Sequence, residues 1–144
     1  MQNLPEIADE MFCFAIYRAT HAINRAYAPL LRQVGLTYPQ YITLTLLWEK
    51  DGQLVGELAK QMRMESSTVT PLLKRLEAMQ HITRKRSVND ERRVHVYLTE
   101  SGQALQAHAK EITACIVKST DMEPEKLDGL RQDLRMLTRN IDPG

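Results

Sequence analysis

Apolar residues recur at helical intervals along most of the chain, and the N-terminal segment carries two such series. Between Glu6 and about Gln33 these series are Ile7, Met11, Phe14 and Phe12, Ile16, Ile23, Tyr27, Leu30. The spacing predicts one long helix with apolar stripes on more than one face. Because a small monomer could hardly cover both stripes at its N-terminus, we expect a second subunit to pack against this helix.

Two short segments with helical periodicity lie in the middle of the chain, after a helix that begins near Pro39 and is ended by Asp51-Gly52. They cover residues 55–62 and 66–79, with a turn of three residues between them. Two short helices joined by such a turn are typical of a helix-turn-helix.

Pro71 in the second of these helices bears on where that helix begins. Proline lacks a backbone N–H, so it is tolerated best near a helix start, where N–H groups have no intrahelical partner. This reasoning predicts the helix cap at Ser67 or Thr68.

Alternating apolar and polar residues then predict two strands, 82–88 and 94–98, joined by a charged tip at 89–93. A helix is expected from Thr99 to about Thr120, and a last helix from Pro124. The last helix carries a narrow apolar seam: Leu127, Leu130, Leu134, Leu137 and Ile141. The predicted fold class is therefore mainly α with a small β-wing, a winged helix-turn-helix.

Composition limits the classes of protein that fit. A chain of 144 residues with 43% hydrophobic and 26% charged residues is typical of one globular domain. We find no apolar run long enough to span a membrane and no signal-peptide pattern, so we expect a soluble, cytoplasmic protein. Two cysteines, Cys13 and Cys115, are too few for a disulfide scaffold.

Charge is distributed unevenly, although the formal net charge is only +1. Residues 60–93 contain nine Lys or Arg against four acids, a net of +5, which leaves ten basic and fourteen acidic residues, a net of −4, elsewhere. A local basic block in a helix-turn-helix region indicates a polyanionic partner, here double-stranded DNA. Small hydroxyl residues followed by basic ones on the outer face of the second helix suit the major groove. The candidates are Ser66, Ser67, Thr68, Thr70, Pro71, Lys74 and Arg75.

The tip between the two strands offers a second set of candidate DNA contacts: Arg86, Asp90, Arg92 and Arg93. A narrow two-stranded ribbon can place a guanidinium in the minor groove. Asp90, two residues before Arg92, can hold that arginine in position by a charge-assisted hydrogen bond.

The order of these elements, the stretch from Ser67 to Glu77, and the stretch from Asp90 to Gly102 resemble the MarR family of winged-helix repressors. The resemblance covers nearly the whole chain as a single domain. It implies a homodimer joined by the helices of residues 1–35 and 100–144. The winged helix-turn-helix regions, residues 36–99, would read a pseudo-palindromic operator.

Cys13, Tyr27 and Tyr38, with the segments 36–41 and 46–49, resemble the organic hydroperoxide resistance regulators within that family. The resemblance implies that Cys13 is a peroxide sensor and that Tyr27 and Tyr38 hydrogen-bond to it; Tyr17 is a further candidate for the same pocket. Cys13 and Tyr27 are 14 residues apart on one helix, about 21 Å along its axis. If both serve one site, Tyr27 comes from the partner subunit.

Cys115 has two interpretations. Its place beside apolar residues on the helix after the wing fits plain core packing, as for many free cysteines. The resemblance implies instead a resolving thiol that forms an intersubunit disulfide with Cys13. Without it, a small thiol would have to resolve the oxidised Cys13.

Other classes of function are less well supported. A thiol peroxidase or disulfide reductase lacks a C-x-x-C motif, and the four histidines form no closely spaced ligand pair for a metal. We expect neither enzyme activity nor a cofactor. A repressor released by a small aromatic ligand, with both cysteines inert, remains an alternative.

Overall fold

The computed structural model describes residues 7–144. Seven α-helices follow each other with a small sheet between them: α1 (Phe12–Arg32), α2 (Tyr38–Glu49), β1 (Gln53–Leu54), α3 (Val55–Met62), α4 (Ser66–Ala78), β2 (Ile82–Arg86), β3 (Val94–Leu98), α5 (Glu100–Ala104), α6 (Ala109–Thr120) and α7 (Pro124–Ile141). The predicted fold class, mainly helical with a β-wing, is confirmed. Among the described residues, no helix is both long and apolar enough to cross a membrane.

The first helix begins later than its sequence pattern suggests. A short 3₁₀ turn, Ala8–Glu10, precedes it, and the extended backbone of Met11 separates the two. Glu6, where the prediction began the helix, lies outside the described residues. The helix continues through Pro29 to Arg32, so the proline does not end it.

The start of α2 is fixed by a reciprocal cap. The Thr37 hydroxyl accepts the backbone N–H of Gln40, and the Gln40 side chain accepts the N–H of Thr37. Pro39 lies in the first turn, as predicted, where its missing N–H costs little. Leu44 and Leu47 of this helix are fully buried and form the centre of the core.

The helix-turn-helix prediction is confirmed: α3 and α4 are joined by residues 63–65, with Arg63 in the left-handed conformation that ends α3. The predicted cap at Ser67 or Thr68 is wrong, because the cap residue is Glu65 and the helix begins at Ser66. Pro71 is therefore the sixth helical residue. It is tolerated there on the exposed face of the helix, and it leaves only the Ser67 carbonyl without its usual donor four residues later.

The sheet is antiparallel with strand order β1-β3-β2. Ile82 pairs with Leu98 and Arg86 with Val94, so β2 and β3 form the predicted ribbon. The prediction that the first strand reaches Val88 is wrong, because pairing stops at Arg86 and Val88 is fully exposed at the tip. β1 was not predicted, since two residues are too few for an alternating pattern.

The single helix predicted from Thr99 to Thr120 is divided into α5, a 3₁₀ turn at Leu105–His108, and α6. Thr99 caps α5 by accepting the N–H of Gly102. Trp48 of α2 donates its indole N–H to the Gly102 carbonyl at 3.0 Å. A Cβ at Gly102 would lie 2.0 Å from the His81 carbonyl oxygen, so α5 packs backbone to backbone against the turn between α4 and β2.

The core lies between α2, α3, α4 and the sheet, with Leu31 of α1 and Ile112 of α6 at its edge. In contrast, every residue of α7 is at least partly exposed. Large apolar side chains of α1 and α7 are exposed in a single chain: Phe12, Tyr17, Ile23, Leu130, Leu134 and Ile141. These two helices thus carry apolar faces that the rest of the same chain does not cover.

Candidate DNA-binding surface and thiol site

The outer face of α4 carries the polar residues that the sequence suggests for DNA contact. Val69, Leu72, Leu73 and Leu76 turn inward and are buried, which leaves the opposite face free. Its candidate residues are exposed, except Thr70, which is half-buried: Ser66, Ser67, Thr68, Thr70, Pro71, Lys74 and Arg75. The Thr70 hydroxyl donates to the Ser66 carbonyl at 2.8 Å.

A groove of about 770 Å³ lies between the start of α3, the outer face of α4 and the wing strands. Six cationic side chains line it: Lys60, Lys74, Arg84, Arg86, Arg92 and Arg93. The groove also contains Glu57, whose carboxylate accepts the N–H of Leu54 at the start of α3. A concave surface with this excess of positive charge attracts a phosphate backbone.

At the wing tip, Asp90 orients Arg92. Asp90 Oδ1 accepts the backbone N–H of Arg92 at 3.0 Å and its Nε at 3.4 Å, while 93% of the Arg92 side chain stays exposed. Arg86 donates to the Glu91 carbonyl at 2.8 Å, and Ser87 donates to the Arg93 carbonyl at 2.7 Å. At the tip, therefore, Asp90 fixes the backbone and Nε of Arg92, while most of the Arg92 side chain remains exposed to solvent.

Sequence reasoning missed a pair of residues that joins α4 to the wing. The Glu77 carboxylate accepts three hydrogen bonds from Arg84, at 3.0 Å from its backbone N–H, 3.3 Å from Nε and 3.1 Å from Nη2. Partial burial alone would raise the pKa of Glu77, but the hydrogen bonds and charge of Arg84 outweigh it and lower the pKa below its usual value. The two residues are seven apart across a turn, a spacing that carries no pattern of its own.

The two cysteines are exposed in a single chain. Cys13 lies in the first turn of α1, and Tyr17, one turn later, stacks on Phe14 at 6.4 Å and meets the His21 ring edge-on at 4.4 Å. Core packing, one of the two interpretations of Cys115, therefore does not occur within one chain.

Tyr27 and Tyr38 form a cluster at the other end of α1. Their ring centroids are 4.8 Å apart, and Tyr41 lies 6.0 Å from Tyr27 and 6.0 Å from Trp48. Burial, reinforced by the neighbouring phenols, raises the pKa of Tyr27 to about 12 and also raises the pKa of Tyr38. Both hydroxyls are therefore protonated donors at neutral pH. Sequence reasoning named Tyr27 and Tyr38 but not their packing against Tyr41.

The structure thus brings Tyr27 and Tyr38 together but leaves Cys13 and Tyr17 about 15 to 21 Å away along α1 in the same chain. A cavity of about 420 Å³ lies beside Tyr38, between α1 and α2, with mainly apolar walls that include Leu31 and Leu36. Cys115 lies on α6, three residues after the buried Ile112. In residues 7–144 no three His, Cys, Asp or Glu side chains are grouped so that they could hold a metal ion.

Comparison with known proteins identifies the family to which this fold belongs. Residues 25–108, more than half of the chain, match the family described as Transcriptional regulator SarA/Rot. The organic hydroperoxide resistance transcriptional regulator of Bacillus subtilis is 38% identical over 133 residues, which are 92% of this chain and 90% of that protein. The HTH-type transcriptional regulator TtmR of Methylorubrum extorquens is 48% identical over 102 residues, 71% of this chain, but the match spans only 52% of that relative.

Among solved structures, AbfR of Staphylococcus epidermidis has a TM-score of 0.77 and 29% identity, with 92% of this chain and 91% of that chain covered. AbfR has also been solved in a reduced form bound to DNA, with a TM-score of 0.74, and in a disulfide form, with a TM-score of 0.63. The helix-turn-helix, the wing and these likenesses agree. The chain therefore belongs to the SarA/Rot and MarR family of winged-helix transcriptional regulators and, within it, to the group of the organic hydroperoxide resistance regulators.

Proposed function

We propose that this protein is a cytoplasmic homodimeric repressor that binds a pseudo-palindromic DNA operator when reduced and releases it when an organic hydroperoxide oxidises Cys13. One observation carries the proposal. Cys13 is exposed on a helix with an uncovered apolar face, far along that helix from the half-buried tyrosine pair it would need. A second subunit would both cover the apolar face of α1 and bring a tyrosine pair to Cys13.

The dimer we propose uses residues 1–35 and 100–144, with residues 36–99 as the DNA-binding region. Exposed apolar side chains on α1 and α7 support this division, because burying them gains free energy in proportion to the apolar area removed from water. In a two-fold symmetric dimer, residue contacts are reciprocal. If Cys13 of one subunit meets Tyr27 of its partner, the dimer has two equivalent sites.

The tyrosine pair favours oxidation of Cys13 because its hydroxyl groups stabilise the negatively charged thiolate. Two protonated phenols aimed at the sulfur stabilise the thiolate over the thiol, and the thiolate is the nucleophile. The sulfur attacks the terminal oxygen of ROOH, an S–O bond forms, the O–O bond breaks, and RO⁻ leaves and is protonated to the alcohol. Sulfur gives up two electrons and becomes a sulfenic acid.

Cys115 is the resolving thiol in this proposal. The thiolate of the partner's Cys115 attacks the sulfenic sulfur of Cys13, so an S–S bond forms and hydroxide leaves as water. The packing of α6 on α1 supports this role for Cys115, because Leu30 of α1 and Ile112 of α6 line the same small cavity. Tyr27 lies three residues before Leu30, and Cys115 lies three residues after Ile112. A disulfide requires the two Cα atoms to come within about 7 Å.

DNA binding is assigned to α4 in the major groove and to the wing tip in the adjacent minor groove. The α4 residues are Ser66, Ser67, Thr68, Thr70, Pro71, Lys74 and Arg75. The wing residues are Arg86, Asp90, Arg92 and Arg93. The exposure of these residues and the cationic groove between them support the assignment, and the AbfR complex is bound to DNA.

A second candidate rests on the cavity beside Tyr38, which is large enough for a small aromatic molecule. In that case the ligand, and not oxidation, would release the DNA, and both cysteines would be inert.

One experiment separates the two. An operator is first selected from a random duplex library by binding to the reduced protein. Release from this operator is then followed by fluorescence anisotropy after addition of cumene hydroperoxide, for the wild type, Cys13→Ser and Cys115→Ser. We expect release of the wild type and none for Cys13→Ser. Equal release of the wild type and Cys13→Ser would favour the ligand mechanism.

A further inference from the structure

One polar side-chain link joins α4, the proposed recognition helix, to the wing formed by β2 and β3. Among the hydrogen bonds and ion pairs of residues 7–144, Glu77 and Arg84 form the one that connects a side chain of α4 to β2. The other contacts are a local hydrogen bond, from the His81 N–H to the Leu76 carbonyl, and apolar packing of Ile82 in the same core cluster as Leu73 and Leu76.

The link holds the backbone of the strand as well as its side chain. β2 is an edge strand of the sheet, so alternate N–H groups on its outer side have no strand partner. Glu77 accepts that of Arg84 at 3.0 Å. Because Arg84 also contributes its guanidinium, the strand can neither slide along α4 nor tilt away from it without breaking charge-assisted hydrogen bonds.

Glu77 lies at the end of the groove-facing side of α4. Thr70, Lys74 and Glu77 are spaced by four and three residues, so they share one face of the helix, and Thr70, Lys74 and Arg84 line the groove. An unpaired carboxylate there would repel DNA phosphates. Arg84 neutralises it, so the pair adds no net charge to the groove.

The same strand leads directly to the wing tip. Two residues after Arg84, Arg86 holds the Glu91 carbonyl, and Asp90 holds Arg92. A short ribbon with these internal bonds moves as a unit. A change in the angle between β2 and α4 at Arg84 therefore displaces the Arg92 guanidinium relative to α4.

We propose that Glu77 is a positioning residue that, through Arg84, fixes the wing relative to the recognition helix and so determines which base pairs Arg92 reads beside those read by α4. This inference rests on the proposed DNA-binding surface. Glu77 itself contacts no DNA.

The double variant Glu77→Ala/Arg84→Ala tests it, because removing one acid and one base leaves the net charge unchanged. Affinity is measured for the selected operator, for an operator with A·T to G·C changes at the flanking pairs under the wing, and for one with changes under α4. We expect roughly tenfold discrimination at the flanking pairs by the wild type and about twofold or less by the double variant, while discrimination under α4 persists in both. Wild-type discrimination at both sets of base pairs would overturn the proposal.

Two further variants keep the test decisive. Glu77→Gln retains an acceptor for the Arg84 N–H but not the ion pair, and it is expected to lose part of the flanking discrimination while remaining folded, with only a slightly lower urea midpoint than the wild type because the pair is partly exposed. Unchanged discrimination in Glu77→Gln overturns the proposal even if the double variant does not fold. Arg92→Ala is the matched control for the wing. If Arg92→Ala keeps the flanking discrimination, the proposed DNA-binding surface fails, and the role of Glu77 fails with it.

Discussion

Tyr27 of α1 and Tyr38 of α2 pack with ring centroids 4.8 Å apart, whereas Cys13, on the same helix as Tyr27, lies about 21 Å away along the axis. The phenol pair is a fixed, protonated donor site inside each chain. The thiol is exposed at the far end of a helix with uncovered apolar residues. The proposed sensor is thus built from two halves that only a partner subunit can unite.

Removing the phenolic hydroxyls is expected to slow oxidation of Cys13 without unfolding the protein. Tyr27→Phe and Tyr38→Phe each delete one donor to the thiolate, and a hydrogen bond to a charged group contributes about 1.5 kcal/mol or more, or about tenfold in rate. The measurement is the rate of Cys13 oxidation by cumene hydroperoxide. Tyr97→Phe, on the exposed face of the wing, is the control. Oxidation of Cys13 at the wild-type rate in both Tyr27→Phe and Tyr38→Phe would exclude a role for the phenols.

The raised pKa of Tyr27 predicts loss of stability in strong alkali. An unfolded tyrosine ionises near pH 10, but the folded residue ionises at about 12, so the stabilisation is complete below pH 10 and is lost as the pH rises towards 12. Because the ring is only half-buried, solvent screening reduces the effect to about 1 kcal/mol. Urea unfolding between pH 9 and pH 12, roughly the range over which the phenol titrates, should therefore show a shallower decline for Tyr27→Phe than for the wild type. Parallel curves would contradict this.

Arg92→Ala is expected to weaken operator binding while leaving the peroxide reaction of Cys13 intact. The loss of one minor-groove guanidinium costs about 1–3 kcal/mol, and loss of one phosphate contact would lower the salt slope by about 1. Anisotropy titrations at several salt concentrations measure both. Lys85→Ala removes an equal charge from the opposite face of β2, where Lys85 lies over the Tyr97 ring. The wing assignment requires Lys85→Ala to bind more tightly than Arg92→Ala.

Gly102 is expected to tolerate no side chain. Its Cβ would lie 2.0 Å from the backbone oxygen of His81, which cannot move aside as a flexible side chain could. Gly102→Ala should lower the free energy of unfolding by about 2 kcal/mol or more. Gly56→Ala in α3 is the control, because nothing lies within 4 Å of its Cβ and alanine favours a helix by up to about 1 kcal/mol. If Gly102→Ala unfolds at the same temperature as Gly56→Ala or at a higher one, α5 does not pack as described.

Local patterns were sufficient to predict the elements that carry their own signal. The helix-turn-helix follows from apolar spacing on either side of residues 63–65, and the ribbon follows from alternation around the charged tip. The separation of Cys13 from Tyr27 needed only the rise of a helix. In each case the information lies within a short, continuous stretch of the sequence.

Features that depend on distant contacts could not be predicted in this way. The break between α5 and α6 coincides with a bond from Trp48 to Gly102, 54 residues apart. The start of α4 differs from the prediction because the Glu65 carbonyl accepts the first helical N–H groups, those of Thr68 and Val69, so the helix begins before Ser67. The Glu77–Arg84 link joins two elements whose relative angle no local pattern encodes.

The arrangement across the subunit interface can be tested most directly with a mixed dimer. One subunit carries Cys13→Ser, and the other carries Tyr27→Phe and Tyr38→Phe; different affinity tags allow the mixed species to be purified. The remaining Cys13 then faces intact tyrosines only if they come from the other subunit. We predict that this Cys13 is oxidised by cumene hydroperoxide at the wild-type rate. Oxidation at the slow rate of the Tyr27→Phe/Tyr38→Phe homodimer would contradict a sensor shared between subunits.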